Sequence, residues 1–139
     1  MGARKPRRPS GPVVFDSDVL IWFLRGAERA RDFLDEIRPS ERLLPAIVAM
    51  ELVRGCRDRA ELRRLHRFLD SAFAGIVHIS EEISRRALTL VERHSLSHGI
   101  TPDDALVAAT ALTVRGGLAT ANIRGYRFIS GLDLVRFRA

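Results

Sequence analysis

The sequence predicts an α/β domain with a mainly parallel sheet, because short apolar runs alternate with longer segments of helical periodicity. The first run, Val13–Phe15, is β-branched and aromatic and follows a segment rich in proline and glycine, which is typical of a buried strand. Similar short runs at residues 43–44, 76–79 and 118–120 predict further strands. Residues 126–137 offer only short extended pieces.

Six segments between and after these strands have helical spacing. They lie at residues 19–24, 27–37, 45–55, 57–72, 81–97 and 101–114. Ser17 or Asp18 is expected to cap the first helix, and Pro45 suits the first turn of the third. Gly99 ends the long fifth helix, and Thr101 is placed to cap the sixth. The alternation of strand and helix favours parallel strand pairing.

Length and charge indicate one globular domain with a basic tail. The 139 residues are enough to bury a core, and 46% of them are hydrophobic. The formal net charge is +6, and four cations, Arg4, Lys5, Arg7 and Arg8, fall within the first twelve residues. We therefore expect residues 1–12 to form a disordered or extended tail and residues 13–139 to form the domain. The tail is suited either to contact nucleic acid or only to solubilise the chain.

The cysteine count and the apolar runs indicate a cytoplasmic protein without a membrane segment. Cys56 is the only cysteine, so an intrachain disulfide framework is excluded. The apolar run after the basic tail is interrupted by Asp16 and Asp18, and residues 19–24 are too few to span a bilayer or direct export.

Three carboxylates lie in unusually apolar segments. Asp16 closes the first strand, Glu51 lies within the apolar third helix, and Asp104 opens the sixth helix. A buried carboxylate is normally paired with a cation or bound to a metal, because isolating it costs several kcal/mol. No cationic residue stands beside any of the three in the sequence. The pattern therefore points to a divalent cation and to phosphodiester chemistry.

Each of these acids also has a purely structural alternative. Asp16 is placed to cap a helix, but it also falls at the carboxyl end of a strand, where α/β sheets bind ligands. Glu51 is equally compatible with a helix edge that faces water. Asp104 fits a capping arrangement with Thr101, and Asp103 beside it points about 100° away around the helix. At most one of these two adjacent acids can join a converging cluster.

If the three acids converge, only oxygen ligands are available to a metal. Oxygen ligands select a hard ion, Mg²⁺ or Mn²⁺. Such an ion activates a water molecule and neutralises charge on a phosphoryl group under attack.

Four segments in order resemble the motifs of PIN-domain nucleases, most closely the VapC-type toxins of bacterial toxin–antitoxin pairs. The resemblance runs from about residue 13 to residue 134. The motifs are Val13-Val14-Phe15-Asp16-Ser17-Asp18, Glu51-Leu52-Val53-Arg54-Gly55, Asp104-Ala105-Leu106-Val107-Ala108-Ala109, and Leu118-Ala119-Thr120-Ala121-Asn122 continuing to Tyr126.

The resemblance implies a three-layer PIN-like fold, with a central mainly parallel sheet flanked by helices. It also implies Mg²⁺-dependent hydrolysis of RNA that leaves 5′-phosphates, homodimers, and inhibition by a small antitoxin protein. By motif position, Asp16, Glu51 and Asp104 are the metal-binding acids. Asn122 and Gly125 stand where relatives often carry a fourth acid, so Asn122 is expected to orient water or contact the substrate phosphate.

Two other functions remain open from the sequence. A non-catalytic PIN-like module for RNA binding or interaction is compatible with the missing fourth acid. A phosphatase of the haloacid-dehalogenase type is suggested by Asp16 and Asp18, whose spacing resembles its nucleophile motif. That chemistry normally uses a lysine, and the only lysine is Lys5 in the tail.

Overall fold

A five-stranded parallel sheet forms the centre of the structure, a computed structural model that describes residues 11–139. The first ten residues of the expected basic tail lie outside the described residues. The strands run in the spatial order β3-β2-β1-β4-β5, and every neighbouring pair is parallel. Their bounds are β1 Val13–Phe15, β2 Arg42–Pro45, β3 Gly75–Val77, β4 Gly117–Thr120 and β5 Asp133–Arg136. The predicted α/β fold with a mainly parallel sheet is confirmed.

Within residues 11–139, six α-helices flank this sheet. They are α1 Ser17–Leu24, α2 Glu28–Asp35, α3 Ala46–Arg54, α4 Arg59–Ala72, α5 Glu81–His98 and α6 Pro102–Val114. Gly99 ends α5 in the left-handed conformation with φ of 66°, as its position in the sequence predicts. Thr101 caps α6, where its hydroxyl accepts a hydrogen bond from the N–H of Asp104.

Two expected helix starts are wrong by one residue. Only Asp16 separates β1 from α1, and it is the N-cap of that helix instead of Ser17 or Asp18. Helix α3 begins directly after its strand. Pro45 is therefore the last residue of β2 and the N-cap of α3, and does not lie in the first turn. In both places the strand passes into the helix without a loop, which places the junction residues at the carboxyl edge of the sheet.

The order of the strands creates a switch point beside β1. The chain passes from β1 outward to β2 and β3 on one side, and then returns to place β4 on the other side of β1. Clefts at such a reversal are where open α/β sheets bind ligands. The pairing of Phe15 with Ala119 brings the carboxyl ends of β1 and β4 together, and the N–H of Asp16 donates to the carbonyl of Ala119 at 2.9 Å.

The buried core holds this edge in place. All three residues of β1 are buried, and Phe15 makes edge-to-face contacts with Phe33 and Phe73. Helix α6 buries mainly small side chains, among them Ala105, Ala108 and Ala109, on several of its faces. None of the helices formed by residues 11–139 combines the length and apolar character needed to cross a bilayer.

Candidate active site

Asp16 lies at the switch point and is almost fully buried, with 8% of its surface exposed. Its Oδ1 accepts a hydrogen bond from the N–H of Ser17 at 2.9 Å, which caps α1. Its Oδ2 accepts from the hydroxyl of Thr120 at 3.0 Å and from the hydroxyl of Tyr126 at 2.9 Å. One carboxylate oxygen of Asp16 therefore caps α1, while the other faces Thr120 and Tyr126 at the carboxyl edge of the sheet.

Asp18 links the first turn of α1 to the end of β4 through hydrogen bonds. Its Oδ2 accepts from the N–H of Ala121 at 3.0 Å and lies 3.3 Å from the hydroxyl of Thr120. Its Oδ1 accepts from the N–H of Val19. Asp18 thus holds the carboxyl ends of β1 and β4 together, and it adds a second negative charge close to Asp16.

Asp104 joins the same cluster through Tyr126. The tyrosine hydroxyl lies 3.2 Å from Oδ1 of Asp104, while the Asp104 side chain is half-buried at the N-terminus of α6. Asp103, the next residue along the helix, is exposed. Of these two adjacent acids, only Asp104 contacts the hydroxyl that also contacts Asp16.

Glu51 lies further out than the two aspartates. Its side chain is exposed on α3, so its apolar sequence neighbours do not enclose it. Partial burial nonetheless raises the pKa of Glu51, and the negative charges of Asp103 and Asp104 raise it further. A hydrogen bond from the Ser17 hydroxyl acts in the opposite direction and lowers this pKa. Glu51 is therefore electrostatically coupled to the N-terminus of α6 and to the first residue of α1.

Asn122 forms the turn that leads into Tyr126. Its Oδ1 accepts from the N–H of Gly125 at 3.1 Å and so caps a short 3₁₀ turn, Ile123–Gly125. A Cβ atom built at Gly125 would lie 2.4 Å from Nδ2 of Asn122, a distance that real contacts do not allow. Glycine is therefore required for the Asn122 side chain to fold over this turn. The Asn122 side chain is exposed, and its Nδ2 makes no hydrogen bond to residues 11–139.

Burial and mutual repulsion disfavour negative charge at this site. Burial, followed by the nearby charge of Asp18, raises the pKa of Asp16 to about 6. Burial also raises the pKa values of Asp18 and Asp104. The pKa of Tyr126 is raised far above its ordinary range, by burial and then by the charges of Asp16 and Asp104, so its hydroxyl remains a neutral donor.

The donor set fits a hard divalent cation. The converging groups offer only carboxylate and hydroxyl oxygens, and no Lys or Arg among residues 11–139 forms an ion pair with Asp16, Asp18 or Asp104. However, no three His, Cys, Asp or Glu side chains in that part of the chain form a group compact enough to enclose one ion. The assignment of Asp16, Glu51 and Asp104 as a three-ligand set therefore stays a prediction.

A surface groove of about 1010 Å³ opens beside Glu51. Helices α1, α3 and α4 supply its walls, which are mainly apolar with several arginines. Its lining includes Ile21, Phe23, Leu24, Arg25, Glu51, Leu52, Arg57, Leu65 and Phe68. One of the predicted site acids, Glu51, therefore borders a mainly apolar surface groove.

Tyr126 is the site residue that the sequence analysis did not identify. It was placed at the end of a motif and at the start of short extended pieces, whereas the structure buries it completely between two carboxylates. It is the only tyrosine in the chain, and it follows the turn residues Asn122 and Gly125. That combination was the available signal, because a turn directs the next side chain back toward the sheet edge.

A sequence-family model for the PIN domain matches residues 13–128. Among curated proteins, the chain is 40% identical over 113 residues to ribonuclease VapC10 of Mycobacterium tuberculosis, covering 80% of this chain and 83% of that protein. It is 33% identical over 123 residues to ribonuclease VapC19 of the same organism, covering 86% of this chain and 96% of that protein.

Solved structures show the same fold. A toxin–antitoxin complex from Klebsiella pneumoniae contains a chain that is 26% identical, with a TM-score of 0.78 over 91% of this chain and 98% of that one. The FitAcB structure from Neisseria gonorrhoeae matches with 24% identity and a TM-score of 0.71, over 89% of this chain and 96% of that one. The predicted PIN-like architecture is confirmed by these matches.

Proposed function

The chain belongs to the PIN-domain family, and from that premise we propose that it is a divalent-cation-dependent ribonuclease, the toxin of a type II toxin–antitoxin pair. The observation that carries the proposal is the convergence of Asp16 and Asp104 on one buried hydroxyl at the switch point of the sheet. The relatives that match most of the chain are named ribonucleases, which supports RNA as the substrate.

Asp16, Asp104 and Glu51 would hold the cation, Mg²⁺ or Mn²⁺. The bound cation supplies Lewis acidity that activates water and neutralises charge on the phosphoryl group. Asp16 is held rigidly by its hydrogen bonds to Ser17, Thr120 and Tyr126, so the cluster is organised before substrate arrives.

Two exposed side chains, Glu51 and Asn122, are the proposed contacts to the substrate. Glu51 lines the groove, where a phosphodiester can approach. The amide Nδ2 of Asn122 is available to donate a hydrogen bond to a phosphate oxygen, because its Oδ1 is used in the turn. Hydrolysis by water in line with the leaving oxygen leaves a 5′-phosphate and a 3′-hydroxyl.

Asp104→Asn tests the proposal. We expect the wild-type chain to cut a pool of structured RNA with Mg²⁺ or Mn²⁺, to be inactive in chelator, and to leave 5′-phosphates. Asp104→Asn should lower the cleavage rate by at least about 100-fold, because it removes a charge that the cation requires. The rate and the end chemistry are read from the same reaction.

Asp103→Asn is the matched control for that variant. It removes one acid from the same helical turn, but from an exposed side chain without a contact to Tyr126. We expect it to keep most of the cleavage rate. An equal loss in both variants would contradict the assignment of Asp104, and cleavage that persists in chelator would contradict the cation dependence.

The groove between α1, α3 and α4 is the proposed site of the antitoxin. Its apolar lining suits an amphipathic helix, and Glu51 in that lining offers a carboxylate to a basic residue of the partner. The solved neighbour from Klebsiella pneumoniae, 26% identical to this chain, is a toxin–antitoxin complex, which supports such a partner.

Leu24→Glu tests the groove. Leu24 lines it and is 50% exposed, so a glutamate there should leave the fold intact while placing a charge against the apolar face of the partner. With the protein encoded beside this chain as partner, we expect binding to weaken at least about 100-fold and RNA cleavage to persist. The control is Leu96→Glu on α5, which is fully exposed and does not line the groove. Equal affinities of the two variants would contradict this location.

Homodimerisation and a cytoplasmic location also belong to the proposal. Large apolar side chains outside the groove are exposed in the single chain, among them Met50 and Val53, which lie one turn apart on α3. Apolar surface of this kind is typical of protein–protein contacts.

A non-catalytic RNA-binding module is the second candidate. It is favoured by the absence, within residues 11–139, of a compact group of three metal-binding side chains, and by the neutral residues at positions 122 and 125. This alternative predicts RNA binding that is insensitive both to chelator and to Asp104→Asn. The cleavage experiment above therefore separates the two candidates.

A further inference from the structure

We propose that Tyr126 is a positioning residue whose hydroxyl holds Asp16 and Asp104 at the spacing in which they take up the divalent cation. It does so in a motif where neither residue 122 nor residue 125 is an acid. The part of this inference that concerns the cation rests on the proposed function. The part that concerns the geometry of the two carboxylates rests on the hydrogen bonds alone.

The hydroxyl of Tyr126 is the only group within residues 11–139 that contacts both carboxylates. It lies 2.9 Å from Oδ2 of Asp16 and 3.2 Å from Oδ1 of Asp104. It carries a single proton, so the two carboxylates share one donor. The side chain is completely buried, so no water competes for this position. Movement of either aspartate would lengthen one of the two contacts.

The turn before Tyr126 fixes where the hydroxyl lies. The side chain of Asn122 caps that turn through the N–H of Gly125, and the N–H of Tyr126 donates to the carbonyl of Ile123 at 3.1 Å. Gly125 leaves room for the Asn122 side chain, which a Cβ would displace. Tyr126 is therefore anchored at its backbone by the turn and at its hydroxyl by the two acids.

A neutral donor suits this position better than another carboxylate. The cluster already contains Asp16, Asp18 and Asp104, and each additional negative charge would increase the repulsion that the cation must offset. The hydroxyl stabilises the ionised carboxylates through hydrogen bonds without adding charge. Groups that orient metal ligands in this way are worth about 10–100-fold in metal affinity.

Tyr126→Phe is the direct test, because it keeps the buried ring and removes only the hydroxyl. We expect calorimetric titration with Mn²⁺ in the absence of RNA to give an affinity about 10–100-fold weaker than that of the wild type. RNA cleavage should need correspondingly more cation, while kcat at saturating cation falls much less than the affinity.

The single tyrosine supplies a second readout that does not depend on activity. Cation binding to Asp16 and Asp104 should change the environment of the Tyr126 hydroxyl, so adding Mg²⁺ or Mn²⁺ to the wild type should produce a tyrosine difference spectrum in the ultraviolet. Tyr126→Phe has no tyrosine, so its spectrum identifies any contribution from Trp22.

Thr110→Val is the matched control. It also removes a buried hydroxyl, but one that donates to the carbonyl of Leu106 within α6 and contacts no carboxylate. We expect it to keep the cation affinity and the tyrosine difference spectrum of the wild type.

The outcomes separate this inference from the proposed function. If the wild type binds the cation and cleaves RNA but Tyr126→Phe binds it equally well, the positioning role is wrong and the proposed function stands. If Tyr126→Phe loses only thermal stability, its role is structural and the inference is again wrong. If the wild type binds no cation, both the inference and the cation dependence of the proposed function are wrong.

Discussion

Asp16→Asn should abolish cation-dependent RNA cleavage and at the same time stabilise the cation-free protein. The loss of activity follows because the variant removes the most deeply buried of the predicted metal-binding charges. We expect a decrease of at least about 1,000-fold in kcat/KM, comparable with the loss of a principal electrostatic contact at other active sites.

The gain in stability follows from the raised pKa of Asp16. Its pKa is about 6 in the folded protein, against an ordinary value of 3.8. Between these two values the folded state binds more protons than the unfolded state, so the free energy of unfolding decreases as pH rises from about 4 to about 6. At neutral pH the ionised Asp16 therefore destabilises the cation-free fold by up to about 3 kcal/mol.

Asparagine removes this destabilising charge and keeps most of the contacts. Its Oδ1 can accept from the N–H of Ser17, while its Nδ2 donates to the hydroxyl oxygen of Thr120 or Tyr126. The Tyr126 hydroxyl can then donate its hydrogen bond to Asp104 alone. We expect urea unfolding in chelator to show Asp16→Asn more stable than the wild type by about 1–3 kcal/mol at neutral pH, and the difference to vanish near pH 4.

Added Mg²⁺ should reverse the order. The cation stabilises the wild type by binding only its folded state, and it should not stabilise the variant appreciably. A variant that is less stable than the wild type in chelator at neutral pH would contradict the charge-burial argument, even if it has no activity.

The topology of this protein was predictable because its strands are short and apolar, and because recognisable residues mark the ends of the helices between them. Gly99 and Thr101 mark helix ends through local chemistry that is independent of the rest of the fold. The wrong caps, by contrast, fall where a strand passes directly into a helix. Asp16 is the single residue between β1 and α1, and Pro45 is both the last residue of β2 and the N-cap of α3; local propensity does not reveal a junction as short as these.

The site was only partly predictable, because its contacts join residues that are distant in sequence. Asp16 and Asp104 were identified because an acid at a strand end or in a first helical turn has a local signature. The turn at Asn122 and Gly125 indicates that the Tyr126 side chain returns toward the sheet edge, but Tyr126 contacts Asp16 across 110 positions, and no local pattern reports which carboxylates its hydroxyl meets. For Glu51 the sequence left enclosure and a water-facing helix edge equally open, and the structure shows an exposed side chain on α3.

Arg42→Met should cause a large loss of stability, about 3–5 kcal/mol. Arg42 is 7% exposed, and its guanidinium donates to the carbonyls of Ile37 at 2.8 Å, Leu34 at 3.0 Å and Ala72 at 3.0 Å. These carbonyls lie at or just beyond the C-termini of α2 and α4, where helices lack internal donors. Methionine fills the volume but leaves all three acceptors without that donor.

Arg42→Lys should recover only part of this loss. An ammonium group has no planar fork with which to reach three carbonyls in fixed directions. Urea unfolding at neutral pH measures both variants against Arg38→Met. Arg38 forms an exposed ion pair with Glu41, and its loss should cost less than about 1 kcal/mol. A cost for Arg42→Met similar to that of Arg38→Met would contradict the role of Arg42.

The activity of Arg42→Met provides the contrast with Asp16→Asn. Arg42 is the first residue of β2, and the candidate site lies at the carboxyl edge of the sheet, beyond the last residue of that strand, Pro45. The three carbonyls that Arg42 binds do not contact the acidic cluster. Below its unfolding temperature, we therefore expect Arg42→Met to cleave RNA at nearly the wild-type rate per folded molecule. Arg42→Met should therefore lose stability and keep activity, because Arg42 supports the ends of two helices. Asp16→Asn should gain stability and lose activity, because Asp16 is an uncompensated charge that the proposed reaction needs.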